Sequence, residues 1–305
     1  MLIRVSKRKL FTTIILFNIL FSRDDLISQL DTIGEQRSYF SMNLSPDKAN
    51  IVLTNSNYTT LEIVCKDGIN KVNLPDLNSF NCKWSPDSKK ILIATATYVD
   101  KKRTNGLMVL DKYGTLIKTV IKKANEHIFP LGWTGNDTFH FMLNGKLVSS
   151  NVNQMEIEWD TPLVYSKSNK LFIKDDEVGD SLLFKADDMI LNLSYLPNAE
   201  VISFEVYGHA SVIIKNKRNI IKDLKGANHL SISDSGNKVI FSQIKDNGHT
   251  LTSGNLFVRD MRDGSIYSIP NPNNEIQLNP VWISEDLIYY IDFQTGLLRS
   301  ISIKD

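Results

Sequence analysis

One phrase recurs seven times along this chain: a bulky residue that closes an apolar strand, a polar turn, and a second strand that is almost wholly apolar. Its fullest form is Trp84-Ser85-Pro86-Asp87, which runs through Ser88, Lys89 and Lys90 into Ile91-Leu92-Ile93. Leu44-Ser45-Pro46-Asp47 before Ile51-Val52-Leu53 repeats it, and looser versions start at Trp133, Tyr165, Tyr195, Ile232 and Trp282. From each first residue to the next the spacings are 40, 49, 32, 30, 37 and 50 residues. A period of that size means one supersecondary unit per repeat, each too small to bury its apolar faces without neighbours.

A second mark divides the clearer units. Lys66-Asp67-Gly68, Lys112-Tyr113-Gly114 and Arg262-Asp263-Gly264 each separate two strand-like runs, and glycine after a polar pair supplies the positive φ of a tight hairpin. Each unit therefore reads as four antiparallel strands. Such sheets bury both faces when they stand side by side about an axis, with Trp84 and Trp133 wedged between neighbours. The expected fold is all-β: a β-propeller of four-stranded antiparallel blades over residues 39–305, with seven blades, or six if the short fourth and fifth units merge. The last unit, Asn279 to Asp305, has length for only three strands, and Ser38 to Ser41 or the segment before it would supply the fourth.

These residues resemble the TolB-type, WD40-like repeat, whose core is an aromatic followed by Ser-Pro-Asp-Gly, two polar residues and a hydrophobic strand. The resemblance covers residues 39 to 305, with the Ser-Pro-Asp element intact at Leu44 to Asp47 and Trp84 to Asp87. It implies a propeller without the α/β domain that precedes the ring in TolB itself, because the first anchor arrives at Leu44.

The start of the chain has a different character. Arg4, Lys7, Arg8 and Lys9 precede twelve uncharged residues, Leu10 to Phe21. That order reads as an export signal, with an apolar core too short for a standard membrane span. Residues 1–23 are expected to be a signal peptide or signal anchor, and residues 24–38, where Leu26, Ile27, Leu30 and Ile33 fall at helical spacing, a short linker helix. The whole chain has 35 basic and 34 acidic residues; without residues 1–23, which hold five basic and no acidic ones, 30 basic face 34 acidic, a net −4. Nucleic acid and anionic lipid would repel that body. Cys65 and Cys82 are too few for a disulfide framework. Cys82 shares a strand face with Phe80 and Trp84, which favours a buried thiol over a bridge to Cys65.

No nucleophile elbow, phosphate loop, dinucleotide fingerprint or zinc-protease motif occurs. Asp47 and Asp87 occupy equivalent turns and are expected to accept backbone N–H groups, not to catalyse. The acidic run Asp175 to Asp180 lacks the ligand spacing of a calcium loop and reads as a solvated hairpin. His127 and His229, each preceded by Ala-Asn or Ala-Asn-Glu, are read as matching positions just ahead of the innermost strands of their units, at the mouth of a central channel. With Glu126 they are the candidates for acid/base or metal-ligand roles, although a third ligand is missing. Lys101, Lys102 and Arg103, and Lys245 and Asn247, lie in two insertions expected to project as loops and to form a contact surface.

The expected function is a non-catalytic, exported or membrane-anchored scaffold that binds a protein or other macromolecule through one face of the ring and its projecting loops. The alternative is a glycan lyase or hydrolase acting at the channel mouth, with or without a metal. The chain is expected to be a monomer, with no cofactor or bound metal, no nucleic-acid partner, and membrane attachment, if any, through its N-terminal segment.

Overall fold

Runs such as Asn50-Ile51-Val52-Leu53-Thr54 and Val239-Ile240-Phe241 are β-branched and apolar on both faces, so they form strands covered on both sides. The computed structural model describes residues 39–55, 59–65, 67–72, 82–100, 102–176, 179–209, 211–217, 219–224 and 226–303; the expected leader and linker helix lie outside them. Seven antiparallel sheets are described, each in chain order. Blade 1 holds β1 (Ser41–Leu44), β2 (Asn50–Thr54), β3 (Leu61–Cys65) and β4 (Gly68–Lys71). Blade 2 holds β5 (Cys82–Trp84), β6 (Lys90–Val99), β7 (Lys102–Asp111) and β8 (Leu116–Ala124). Blade 3 has β9 (Ile128–Trp133), β10 (Thr138–Leu143) and β11 (Lys146–Asn151), and blade 4 has β12 (Leu163–Lys167), β13 (Lys170–Asp175) and β14 (Gly179–Lys185). Blade 5 holds β15 (Ile190–Leu196), β16 (Val201–Val206), β17 (Ser211–Lys215) and β18 (Asn219–Leu224). Blade 6 holds β19 (Ala227–Ile232), β20 (Lys238–Asp246), β21 (Leu251–Asp260) and β22 (Ile266–Ser268), and blade 7 holds β23 (Gln277–Trp282), β24 (Leu287–Asp292) and β25 (Leu297–Ser302).

The first strands of the blades neighbour one another in sequence, β1 beside β5, then β9, β12, β15, β19 and β23, and β23 returns to β1. The ring closes at seven blades, not six. The short fourth and fifth units stay separate because each builds its own sheet. Spacing decides strand number: blades 3 and 4 begin at the anchors followed by gaps of 32 and 30 residues, and each has three described strands where four were expected. Only residues 186–189 join β14 to β15, too few for another strand. Ser41 opens β1 of the first blade and does not complete the last one; it is Tyr39 whose N–H reaches back to the Gly296 carbonyl of blade 7, at 2.6 Å.

Apolar clusters fill the joints between blades. Val52, Ile63, Trp84 and Ile91 join blades 1 and 2, and Leu92, Val109, Trp133 and Phe139 join blades 2 and 3. Ile51, Val64, Tyr289 and Ile291 join blade 1 to blade 7. Cys82 is a free, buried thiol in the first of these clusters, and burial pushes its pKa up to about 12; Cys65 is also free and buried. The anchor tryptophans add a directional bond. Trp84 Nε1 donates to the Asn43 carbonyl (3.1 Å), Trp133 Nε1 to that of Lys83 (2.9 Å) and Trp282 Nε1 to that of Ser231 (3.1 Å). In each case the acceptor lies one residue before the anchor of the preceding blade.

The turns that follow the anchors form a second seam. Ser45 and Ser85 Oγ each donate to Asp Oδ1 two residues on (2.6 Å) and accept the N–H five residues on. Asp47 and Asp87 in turn accept the N–H groups of Ala49 and Lys89, the structural role expected of them. Lys48, Ser88 and Gly236 take the positive φ that these turns require. Turns of adjacent blades touch: the Asp47 N–H donates to Ser88 Oγ (2.9 Å), Lys90 Nζ pairs with Asp137 (2.9 Å), and the Ser235 N–H donates to Glu285 (2.9 Å). The first turns of blades 1, 2, 3, 5, 6 and 7 therefore share one face of the ring, the Gly236 turn lying against Ala199. Blade 4 is the exception: the Thr161 N–H, just before β12, donates to the Thr134 carbonyl in the first turn of blade 3 (3.0 Å), and the Ile190 N–H at the start of β15 donates to the Ser168 carbonyl in the β12–β13 turn (3.0 Å), so that turn lies on the other face.

Trp133→Phe keeps an aromatic ring at the joint but leaves the Lys83 carbonyl without its donor. It is expected to cost about 2 kcal/mol, read as a lower urea midpoint at unchanged slope. A variant as stable as the parent would remove the indole bond from the account of ring stability.

Candidate functional site

Because the first turns of blades 1, 2, 3, 5, 6 and 7 occupy one face, the hairpins between second and third strands of those blades occupy the other. Two hairpins there outrun their sheets. β6 and β7 pair from Lys90 with Asp111 to Val99 with Lys102, whereas β5 accompanies them only as far as Ile93. β20 and β21 pair from Lys238 with Asp260 to Asp246 with Leu251, beyond the last inner pair at Gln243. The sequence reading expected loops here, and the structure has strands. Period-two alternation continues through Thr95, Thr97 and Val99, and Thr97 Oγ1 meets Thr104 Oγ1 across the pair at 2.7 Å. At the second tip Asn247 Oδ1 accepts the N–H groups of His249 (3.0 Å) and Thr250 (2.9 Å). Glycines relieve crowding at the bases: a Cβ on Gly106 would meet Thr95 Oγ1 of the paired strand at 2.6 Å, and one on Gly254 would meet Ile276 Cγ2 of the segment leading to blade 7 at 3.0 Å.

The first hairpin gathers several expected site residues. Lys102 and Arg103 are exposed near its tip, and Lys101 lies outside the described residues. Arg103 Nε donates to Asn105 Oδ1 (3.1 Å), Asn105 Nδ2 to the Glu126 carbonyl (2.7 Å), and the N–H of exposed His127 to Asn144 Oδ1 (3.0 Å). Lys245 and Asn247 are exposed on the second hairpin, which belongs to blade 6 and not to this network. Aromatics were overlooked in the sequence. Of the six exposed aromatic side chains among the described residues, Tyr98, Phe129, Tyr207 and Phe293 lie on the hairpin face, between 40% and 64% exposed. Their signal was position: each stands in or next to a second hairpin or at the start of an inner strand.

The two candidate histidines do not occupy matching places. His127 precedes β9, six residues before the Trp133 anchor, whereas His229 lies inside β19, three before Ile232. At His229 the β19–β20 register shifts between Asn228 and Ser231, and the residue takes φ +53. Asn192 and Asn279 hold the same bulge three residues before their anchors, at φ +48 and +51. Asn tolerates this conformation well. The freed His229 N–H donates to Glu205 Oε1 of blade 5 (2.6 Å), while Nδ1 is buried with no hydrogen-bond partner among the described residues. Burial lowers the His229 pKa, against the opposing pull of Glu205. No group of three His, Cys, Asp or Glu side chains among the described residues is arranged to hold a metal ion.

The chain aligns with the β-propeller domain of Cps50 (Swd1) from Myceliophteria thermophila at a TM-score of 0.62 and 13% identity, over 88% of this chain and 98% of that one. It is a seven-bladed β-propeller. KlHsv2 with loop 6CD replaced by a Gly-Ser linker aligns at 0.54 and 10% identity, over 88% and 98% of the two chains. A putative TolB from Agrobacterium tumefaciens aligns at 0.47 and 14%, over 88% and 91%. At these identities the likeness is one of fold. No protein-family model and no curated protein sequence matches the chain. No helix among the described residues is long and apolar enough to cross a membrane.

The joint between blades 3 and 4 carries a buried histidine, His140. Thr134 Oγ1 donates to the Glu158 carbonyl (2.8 Å), so it accepts from His140 Nε2 (2.8 Å), and His140 Nδ1 then accepts from Ser149 Oγ (2.9 Å). The ring packs on Trp159 with centroids 4.8 Å apart. Burial, with the Lys174 charge adding to it, pushes the His140 pKa from 6.5 down to about 4. A lowered histidine pKa means that the unfolded chain binds the extra proton, so this contribution is whole above pH 6.5 and is lost as pH falls toward 4. The parent is expected to lose on the order of 3 kcal/mol more than a His140→Gln variant across that window, measured as urea midpoints at each pH. Parallel pH profiles for the two proteins would show that His140 does not carry this loss.

Proposed function

We propose that this propeller is a binding scaffold that holds a protein partner on its hairpin face, outside the cytoplasm. The observation that carries the reading is the coincidence, on that face, of two hairpins extended past their sheets with four exposed aromatics. A rigid ring positions such groups at little entropic cost, and aromatic anchors ringed by polar side chains are the usual source of binding energy. Lys102, Arg103, Lys245 and Asn247 supply the polar rim. The leader at residues 1–23 supports export, and nothing in the reading calls for a cofactor. Affinity capture with the full chain as bait, against variants with residues 98–103 or 246–251 replaced by a two-residue Asn-Gly turn and against Tyr98→Ala, tests it. A partner retained by the parent and lost from at least one shortened hairpin is the expected result. Identical capture profiles for all four baits would overturn the reading.

A second reading, a glycan lyase or hydrolase at the channel mouth, is favoured by one observation, the unpartnered His229 Nδ1 in a strained bulge beside Glu205. His127 and Glu126 would assist from blade 3. His229→Asn adopts the residue found at the two sister bulges, so its stability should equal or exceed that of the parent. On this reading the same variant abolishes turnover of acidic oligosaccharides supplied with a divalent metal. Absence of turnover by the parent would remove the reading.

A further inference from the structure

The residue before each anchor forms the innermost layer of the ring. In chain order these residues are Asn43, Lys83, Gly132, Val164, Ser194, Ser231 and Val281, and each stands at the inner end of a row that faces the next blade. Six are small or neutral, and Lys83 is the one charge. Its position is fixed. Cys82 and Trp84 point into the joint with blade 1, so Lys83 points toward blade 3, and its carbonyl accepts the Trp133 indole N–H at 2.9 Å. The row Lys83, Leu92, Val109, Lys118 crosses blade 2 from axis to rim, with a lysine at each end. At the rim Lys118 Nζ donates to the carbonyls of Asn151 (2.8 Å) and Val152 (3.2 Å). At the inner end of the row, Lys83 makes no side-chain hydrogen bond or ion pair among the described residues.

Lys83 is half-buried; a lysine held there without a partner is costly, and the Ser or Val found in sister blades would fill the place without that cost. Burial accordingly pulls the Lys83 pKa below its ordinary value, and no carboxylate opposes it. Room exists beside it. Gly132 is the next residue of the layer, at φ +152, and a Cβ built there would meet nothing within 4 Å. Ser194, in the same layer, is exposed despite lying in an inner strand, so water reaches this level of the axis.

We propose that the central channel binds a small oxyanion, carboxylate or phosphate, with the Lys83 ammonium as its charged contact and the gap at Gly132 as its space. The anion supplies the partner that the fold withholds, and an ammonium in partly dry surroundings gains more from it than a surface lysine does. This site is independent of the hairpin face and of any partner held there.

Titration calorimetry of the full chain with inorganic phosphate and, separately, with succinate, at ionic strength held constant with sodium chloride, tests the proposal. At least one of the two is expected to bind the parent, at least tenfold more weakly to Lys83→Met, and within threefold of the parent to Lys83→Arg. The methionine keeps the stem and the arginine keeps the charge, so a folding defect in one variant leaves the other readable. Binding of neither anion to the parent, or equal binding to the parent and Lys83→Met, overturns the proposal; which anion binds distinguishes a phosphate ligand from a carboxylate one.

Discussion

The indole bond from one blade's anchor to the carbonyl before the preceding blade's anchor sets the geometry on which the rest of this molecule depends. A small antiparallel sheet with two apolar faces has no reason to stand at a particular angle to its neighbour, since apolar contact is non-directional. A hydrogen bond from a rigid side chain to a fixed backbone atom does impose an angle. Three such bonds, from Trp84, Trp133 and Trp282, recur at corresponding places, so inner strands of successive blades are set in one relation. The turn seam repeats the constraint a few residues later, where Asp47, Lys90 and Ser235 each engage the turn of the next blade. Position along the inner strands is thus controlled, and with it everything that lines the axis or leaves the opposite face.

Much of this was legible in residue spacing. Anchors are visible because a buried tryptophan before Ser-Pro-Asp has few other uses, and every assigned anchor falls within an inner strand. The short gaps of 32 and 30 residues held the information that blades 3 and 4 carry three strands, but the same numbers also fitted a merged blade, and only pairing separates the two. Gly68, Gly114 and Gly264 sit in the third-to-fourth hairpins with positive φ, as their position after polar pairs implies.

The candidate site was harder to read because its features depend on register more than on residue type. Loops and hairpins have the same polar composition at their tips, and the alternation in Thr95 to Val99 was the signal that distinguished them. His127 and His229 share a local context in sequence, yet counting back from the anchors puts one ahead of its strand and the other inside a bulge. Asn192 and Asn279, at the same count as His229, marked that bulge in advance, because asparagine is the side-chain-bearing residue best suited to positive φ. Lys83 left no trace by type, since one lysine among 35 basic residues is unremarked until the innermost layer is known.

Blades 1 and 7 meet differently from the other pairs. Elsewhere a connecting segment crosses each joint, whereas among the described residues this one is held by side-chain packing about Ile51 and Tyr289, by the Tyr39 N–H on Gly296, and by Asn279 Nδ2 on the Phe40 carbonyl (2.8 Å). Covalent continuity and mechanical continuity therefore part company at a single clasp. Closure of the ring there rests on side-chain packing and two hydrogen bonds among the described residues, and breaking them would leave every blade's own strand pairing intact.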